Sequence, residues 1–155
     1  MTGGESRLRA LRRETSSLMP GRAGRPHPGP GQALTIEVQR GPGYAVVSAA
    51  GEIDIATAAQ LEEPLSALAA AGHRLVADLG RVSFIDAAGL RVLGRVAGQA
   101  AEHGTSLHVV CDRPQIVRLF KLTSLDQRVR LAPTLAEALQ DLDDADLTRQ
   151  RSLVR

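Results

Sequence analysis

The chain has 155 residues, 43% of them hydrophobic, which suits one packed domain with loose ends better than two domains. Aromatic residues make up only 2% (Tyr44, Phe84 and Phe120, with no Trp), too few for the exposed stacking platforms that hold single-stranded nucleic acid. The net charge of +2 is uneven: residues 1–31 carry six Arg against Glu5 and Glu14, a balance of +4, and the rest of the chain stands at −2.

That basic arm contains four Pro and four Gly between Met19 and Gly31, a composition that supports neither a helix nor a paired strand. From Leu34 the pattern changes. Leu34, Ile36 and Val38 alternate with polar residues, as in a half-buried strand. Gly41-Pro42-Gly43 reads as a turn, and Tyr44–Ser48 as the second arm of a hairpin. Thr57-Ala58-Ala59-Gln60 has capping-box spacing, and Leu61, Leu65 and Leu68 make a helical stripe that stops at Gly72. Pro64 removes a backbone donor inside this helix and predicts a kink or a late start.

Leu75–Leu79 is a short apolar run, the signature of a strand covered on both faces. After Phe84 and Ile85, Asp86 is placed to cap a helix with Leu90, Leu93, Ala97 and Ala101 on its core side, ending at Gly104. Leu107–Cys111 reads as another buried strand, and Pro114 opens a helix with Ile116, Val117, Leu119 and Phe120. Arg128–Leu131 is a candidate last strand, and Thr134–Glu137 forms a second capping box before Leu135, Ala138, Leu139 and Leu142. A hairpin followed by alternating helices and apolar strands implies an α/β fold, a mixed sheet of four to five strands with about four helices. The expected organisation is a disordered Arg/Pro/Gly-rich arm over 1–31, one domain over 32–143 and a flexible charged tail over 144–155.

Few residues offer chemistry. Cys111 is the single cysteine, which excludes an intramolecular disulfide and a Cys-rich metal site, and inside an apolar strand its thiol is expected to be inert. His27, His73, His103 and His108 are scattered without metal-ligand spacing. Gly41-Pro42-Gly43 lacks the ending of a phosphate-binding loop, and no Gly-x-Ser-x-Gly occurs. Neither a cofactor nor a metal is expected, and no enzymatic activity. No apolar run approaches the roughly 20 residues that span a bilayer, and no apolar segment follows the N-terminal basic residues. The expected location is the cytoplasm, without membrane insertion.

Two features remain. Asp78 and Asp86 both sit near predicted strand ends, where open α/β sheets place their sites, so a phospho-Asp receiver is one alternative. Against it, the chain opens with a hairpin and its only lysine, Lys121, falls in a helix. The second feature is Val82-Ser83-Phe84-Ile85-Asp86-Ala87-Ala88-Gly89-Leu90, a strand end running straight into a helix start. Gly89 in the first turn costs about 1 kcal/mol of helix propensity against Ala; either a partner backbone or a neighbouring loop approaches closely there, or, slightly favoured on physical grounds alone, Gly89 only relieves crowding and Asp86 is only a cap.

Gly51-Glu52-Ile53-Asp54-Ile55-Ala56-Thr57-Ala58, Val76-Ala77-Asp78-Leu79, Val82–Asp86 with Gly89-Leu90, Val109-Val110-Cys111, Pro114, Val117–Phe120 and Pro133–Ala138 together resemble the STAS domain of bacterial anti-sigma factor antagonists, the SpoIIAA/RsbV-like proteins. The resemblance covers about residues 33–142 in the family's order and spacing. It implies the STAS (SpoIIAA-like) fold and a protein that works by binding. Its partner would be an anti-sigma factor of histidine-kinase-like ATPase fold, which on binding releases a sigma factor. The family's switch is phosphorylation of a serine in Asp-Ser-Ser-Gly. Here the motif reads Asp86-Ala87-Ala88-Gly89, with Ala88 at the phosphoacceptor position and no hydroxyl to modify.

The candidate partner-binding residues are Asp54, Ser83, Asp86, Ala87, Ala88, Gly89, Arg91 and Arg95. Asp86 would cap the helix and hold the loop, Ala87–Gly89 would form a close-approach surface, and Arg91 and Arg95 would pair with acidic groups of a partner. The alternative within the family is a STAS regulatory or scaffold subunit, serving a transporter ATPase or a stressosome-like complex. No direct contact with nucleic acid is expected of the domain.

Overall fold

The computed structural model describes residues 12–15 and 33–153. The chain forms six strands: β1 (Arg12–Thr15), β2 (Thr35–Gly41), β3 (Tyr44–Ile53), β4 (Arg74–Ile85), β5 (Leu107–Val110) and β6 (Arg130–Ala132); apolar residues recur along β2 to β6, and β1, Arg-Arg-Glu-Thr, has none. Helices α1 (Ala58–Ala70), α2 (Ala87–Glu102), α3 (Pro114–Leu122) and α4 (Leu135–Leu153) connect or follow them. The sheet runs in the order β1-β2-β3-β4-β5-β6. The pairs β1–β2 and β2–β3 are antiparallel, and β3–β4, β4–β5 and β5–β6 are parallel. The expected α/β class, hairpin, mixed sheet and four helices are all present.

Burial explains the layering. One face of the sheet presents Ile36, Ala45, Val47, Leu75, Ala77, Leu107 and Val109 to the apolar stripes of α1, α2 and α3. The other face presents Tyr44, Val46, Val76 and Val110 to Ala138, Leu139 and Leu142 of α4. The first half of β4 and all of β5 are covered on both sides, which is why Leu75–Ala77 and Leu107–Val110 are buried at successive positions.

Several boundaries differ from the sequence-based expectation. Within the arm expected to be disordered over 1–31, Arg12–Thr15 pairs with β2 as an outer strand. The Pro/Gly cluster begins only at Met19-Pro20, so these four residues retain full pairing capacity, and the open edge of β2 offers them backbone partners. The remainder of that arm lies outside the described residues. At the other end, the flexible tail expected over 144–155 is helical to Leu153. No Gly or Pro interrupts it, Arg74 of β4 forms an ion pair with Asp146, and Gln140 and Thr148 hydrogen-bond Asp144 one turn away on either side. The last strand lies at Arg130–Ala132 rather than Arg128–Leu131, because a 3₁₀ turn at Leu125–Gln127 uses the amides of Arg128 and Val129. Helix α1 begins at Ala58 and runs through Pro64, without a late start.

The difference that matters most concerns β3 and β4. Both continue well beyond the short runs read from sequence, β3 to Ile53 and β4 to Ile85. β2 pairs with β3 only as far as Ala50, and β5 pairs with β4 only as far as Asp78. Past those points the two strands pair with each other alone, Gly51 with Val82, Glu52 with Phe84 and Ile53 with Ile85. A register shift accompanies this extension, and Gly51 sits in it at φ +116° with the Ala33 carbonyl so close that a Cβ would meet it at 2.4 Å. Only glycine fits there. The two strands thus leave the sheet as a narrow ribbon.

Candidate functional site

At the tip of the ribbon the chain turns into two helices at once. β3 leads through Asp54 into α1, and β4 leads through Asp86 into α2. The amide of Asp86 donates to the carbonyl of Ile53 (3.1 Å), so the two turns are fastened to one another. Asp86 Oδ1 accepts from the amides of Ala88 (2.9 Å) and Gly89 (3.2 Å), the cap expected from sequence. Its negative charge also faces the positive end of the helix. Asp54 Oδ1 accepts from the amides of Ala56 (2.9 Å) and Thr57 (3.1 Å) and from the Thr57 hydroxyl (3.2 Å).

This last arrangement corrects the capping box read at Thr57–Gln60. The Thr57 hydroxyl makes no cap bond; it donates to the Glu52 carbonyl (2.9 Å) and accepts from the Asp54 amide (2.9 Å). The local competitor is Asp54, whose carboxylate reaches the amides of Ala56 and Thr57 and leaves the hydroxyl to close the loop. At the second box only the cap half forms: the Glu137 amide donates to Thr134 Oγ1 at 3.2 Å, and the Thr134 hydroxyl, not its amide, donates to the Glu137 carboxylate at 3.3 Å.

Of the eight sequence-predicted residues, the tip brings together Asp54, Ser83, Asp86, Ala87, Ala88 and Gly89. Ser83 is exposed, and its hydroxyl donates to the Gly51 carbonyl across the ribbon (3.3 Å). Ala87 is exposed and Ala88 half-buried against the core. Gly89 is buried, and a Cβ there would stand 2.6 Å from both Ile53 Cγ2 and Ile85 Cγ1. The close approach that its glycine signalled therefore comes from the protein's own core. Arg91 and Arg95 lie further along α2, both exposed. Arg95 Nε donates to Glu62 Oε2 of α1 at 2.6 Å, which raises the Arg95 pKa and lowers that of Glu62. Arg95 thus has an intramolecular partner already.

Two residues at the tip escaped the sequence reading. Ile55 is 85% exposed in the turn after Asp54, and Phe84 is 47% exposed on the ribbon. Leu122 and Leu147 are exposed as well, but Ile55 and Phe84 are the two large apolar groups that the ribbon tip itself holds in water. Ile55 was visible in principle, as a branched apolar residue in a turn with no helical or strand phase. Phe84 lay in what read as a strand end, and only the structure shows that both Ser83 and Phe84 are exposed there.

The rival chemistries find less support in the geometry. Asp78 Oδ1 accepts from the Gly80 amide (3.0 Å), and eight strand residues put it roughly 25 Å along the chain from Asp86. The two carboxylates form no acidic pair. Cys111 is buried, and that burial pushes its thiol pKa up. His103 engages the Gln99 carbonyl and His108 the Ser106 hydroxyl, and no cluster of three metal-ligating side chains occurs among the described residues.

The STAS domain family model matches residues 35–138, from the first residue of β2 into α4. The chain belongs to the STAS domain family. The "Anti-sigma-F factor antagonist RsfB" of Mycobacterium tuberculosis is 37% identical over 111 residues, which are 69% of this chain and 88% of that protein. A crystal structure of an anti-sigma factor antagonist from Mycobacterium paratuberculosis aligns with TM-score 0.65 at 36% identity, covering 70% of this chain and 93% of that one. Unphosphorylated SpoIIAA aligns with TM-score 0.61 at 17% identity over 71% of this chain and 97% of its own, a likeness of fold. The ribbon tip is inside the matched STAS region, as are α1 and α2. The two mycobacterial relatives are named as anti-sigma factor antagonists, and they support an anti-sigma factor antagonist function for this STAS protein. Among the described residues no helix is long and apolar enough to cross a membrane.

Proposed function

We propose that this STAS protein binds an anti-sigma factor of histidine-kinase-like ATPase fold through the ribbon tip and the start of α2, and so releases a sigma factor. The observation that carries the reading is the rigid, hydroxyl-free turn Asp86-Ala87-Ala88, capped by Asp86, tied to Ile53 and flanked by exposed Ile55 and Phe84. Small side chains there permit close approach, and the apolar groups supply the desolvated contact that anchors an interface. Ala88 stands where the family's phosphoserine would, so the protein is binding-competent whenever present and its output follows its abundance.

A phosphate at this position would sit comfortably on the positive end of α2, so its inhibitory effect in the family belongs to the interface and not to the helix. The test is binding to a purified kinase-like anti-sigma factor from the same cell, with and without ATP. Expected are the same affinity before and after incubation with ATP, no phosphate on the protein, and a loss of at least tenfold in Ala87→Asp. A buried unpaired charge at an interface costs about 2–5 kcal/mol. Unchanged binding by Ala87→Asp rules out the helix start, and failure of the native protein to bind any such factor rules out the function.

A further inference from the structure

Alongside α2 runs an open groove of about 480 Å³. It lies between α2 and the segment after α3, starting at Ala87 and reaching Arg95, eight residues or about 12 Å along the helix axis. Its floor is apolar, with Leu90 and Leu125 nearly buried. Its rim carries Arg91, Arg95 and Arg128, and no Asp or Glu lines it.

Arg128 is set in place by the fold. Its Nη2 donates to the Gly94 carbonyl at 2.9 Å, and a Cβ at Gly94 or Gly98 would come within 3.2 or 3.4 Å of its guanidinium. A helix-interior glycine costs about 1 kcal/mol against Ala, and at Gly94 it leaves room for this cation against the helix backbone, whereas a Cβ at Gly98 would make only an ordinary contact with it. Arg91 is exposed and makes no ion pair among the described residues, and Arg95 shares its charge with Glu62.

We infer that this groove receives an acidic, amphipathic peptide segment of the partner, with an apolar side chain on Leu90 and Leu125 and carboxylates at Arg91 and Arg128. The inference rests on the reading that α2 carries the partner contact. Charge complementarity selects the occupant, because guanidinium groups pair with carboxylates bidentately and the groove supplies no acidic group to repel them. A nucleotide fits less well, since no aromatic side chain lines the groove for a base to stack on.

The test is a titration of the isotope-labelled full chain, followed by amide resonances, with an amphipathic peptide of Glu and Leu at helical spacing. A peptide with Gln for Glu and inorganic tripolyphosphate are the comparison probes. Expected are shifts confined to Ala87–Arg95 and Thr123–Arg128, at least fivefold weaker binding of the Gln peptide, and a fivefold loss in Arg91→Glu. Arg118→Glu, exposed but outside the groove, should bind as the native chain does. No shifts, shifts centred elsewhere, equal binding of the Gln peptide, or saturation by tripolyphosphate alone at the peptide's concentration overturns the inference. The titration needs no anti-sigma factor, so its failure removes the groove and leaves the Ala87→Asp assay to judge the helix start.

Discussion

Gly89 and Asp86 show how much of the tip depends on single side chains. Replacing Gly89 with Ala improves helix propensity by up to about 1 kcal/mol, yet it places a methyl 2.6 Å from Ile53 and Ile85. Overpacking of this kind costs about 1–3 kcal/mol, so Gly89→Ala is expected to lower the urea midpoint despite the better helix former. A raised midpoint would show that the helix start can move away from the ribbon. Asp86→Ala removes the acceptor for two amides, and a lost cap costs about 1 kcal/mol; Asp86→Asn retains an acceptor and should lose much less. The same residues show what was readable in the sequence. The Asp86 cap is local, a carboxylate two and three residues from its donors, and was legible. That Gly89 relieves crowding was legible too, but its neighbour Ile53 was not, because Ile53 belongs to another strand and approaches only after the ribbon has formed.

Among the elements, α2 carries the most tertiary information. Its helical stripe was evident in the sequence, but its glycine at 94 was explained only by Arg128, thirty-four residues away in sequence. Arg128→Ala is expected to destabilise the fold by about 1 kcal/mol through the lost bond to the Gly94 carbonyl, measured by urea unfolding, and Arg128→Lys should not restore the full value because it lacks the planar fork. The Arg95–Glu62 pair between α2 and α1 reaches solvent, so Glu62→Gln should leave the urea midpoint almost unchanged. Helix α4 illustrates the opposite failure of local reading. Its second half has no apolar stripe, and what extends it is an ion pair to β4 and bonds between successive turns.

For the whole molecule, the two faces of the sheet differ in chemistry. The face under α4 holds His108 fully buried, with Arg74 and Arg130 nearby. Burial first, and then the two guanidinium groups, pushes its pKa down to about 4. In the unfolded chain the same imidazole titrates near 6.5. Between those values the unfolded state takes up a proton that the folded state refuses, so stability is full above about pH 6.5 and declines as pH falls toward 4. The slope from this group is at most about 1.4 kcal/mol per pH unit. Urea midpoints at pH 7 and pH 5 should therefore differ in the native chain and differ less in His108→Leu; an equal difference in both would place the acid sensitivity elsewhere.

Sequence by itself determined the α/β class, the order of strands and helices, the cap at Asp86, the hydroxyl-free Asp86-Ala87-Ala88-Gly89 and the family resemblance. Those are properties of neighbouring residues, of periods of two and 3.6, and of motif order, and they survive without a third dimension. Tertiary structure alone decided that β3 and β4 leave the sheet as a ribbon, and that Ile55 and Phe84 stand exposed beside the α2 start. It also decided that Arg95 is paired to Glu62 and that Arg128 rests on Gly94. Each of these joins residues distant in the chain, and hydrophobic periodicity records only whether a residue is buried, not which residue covers it.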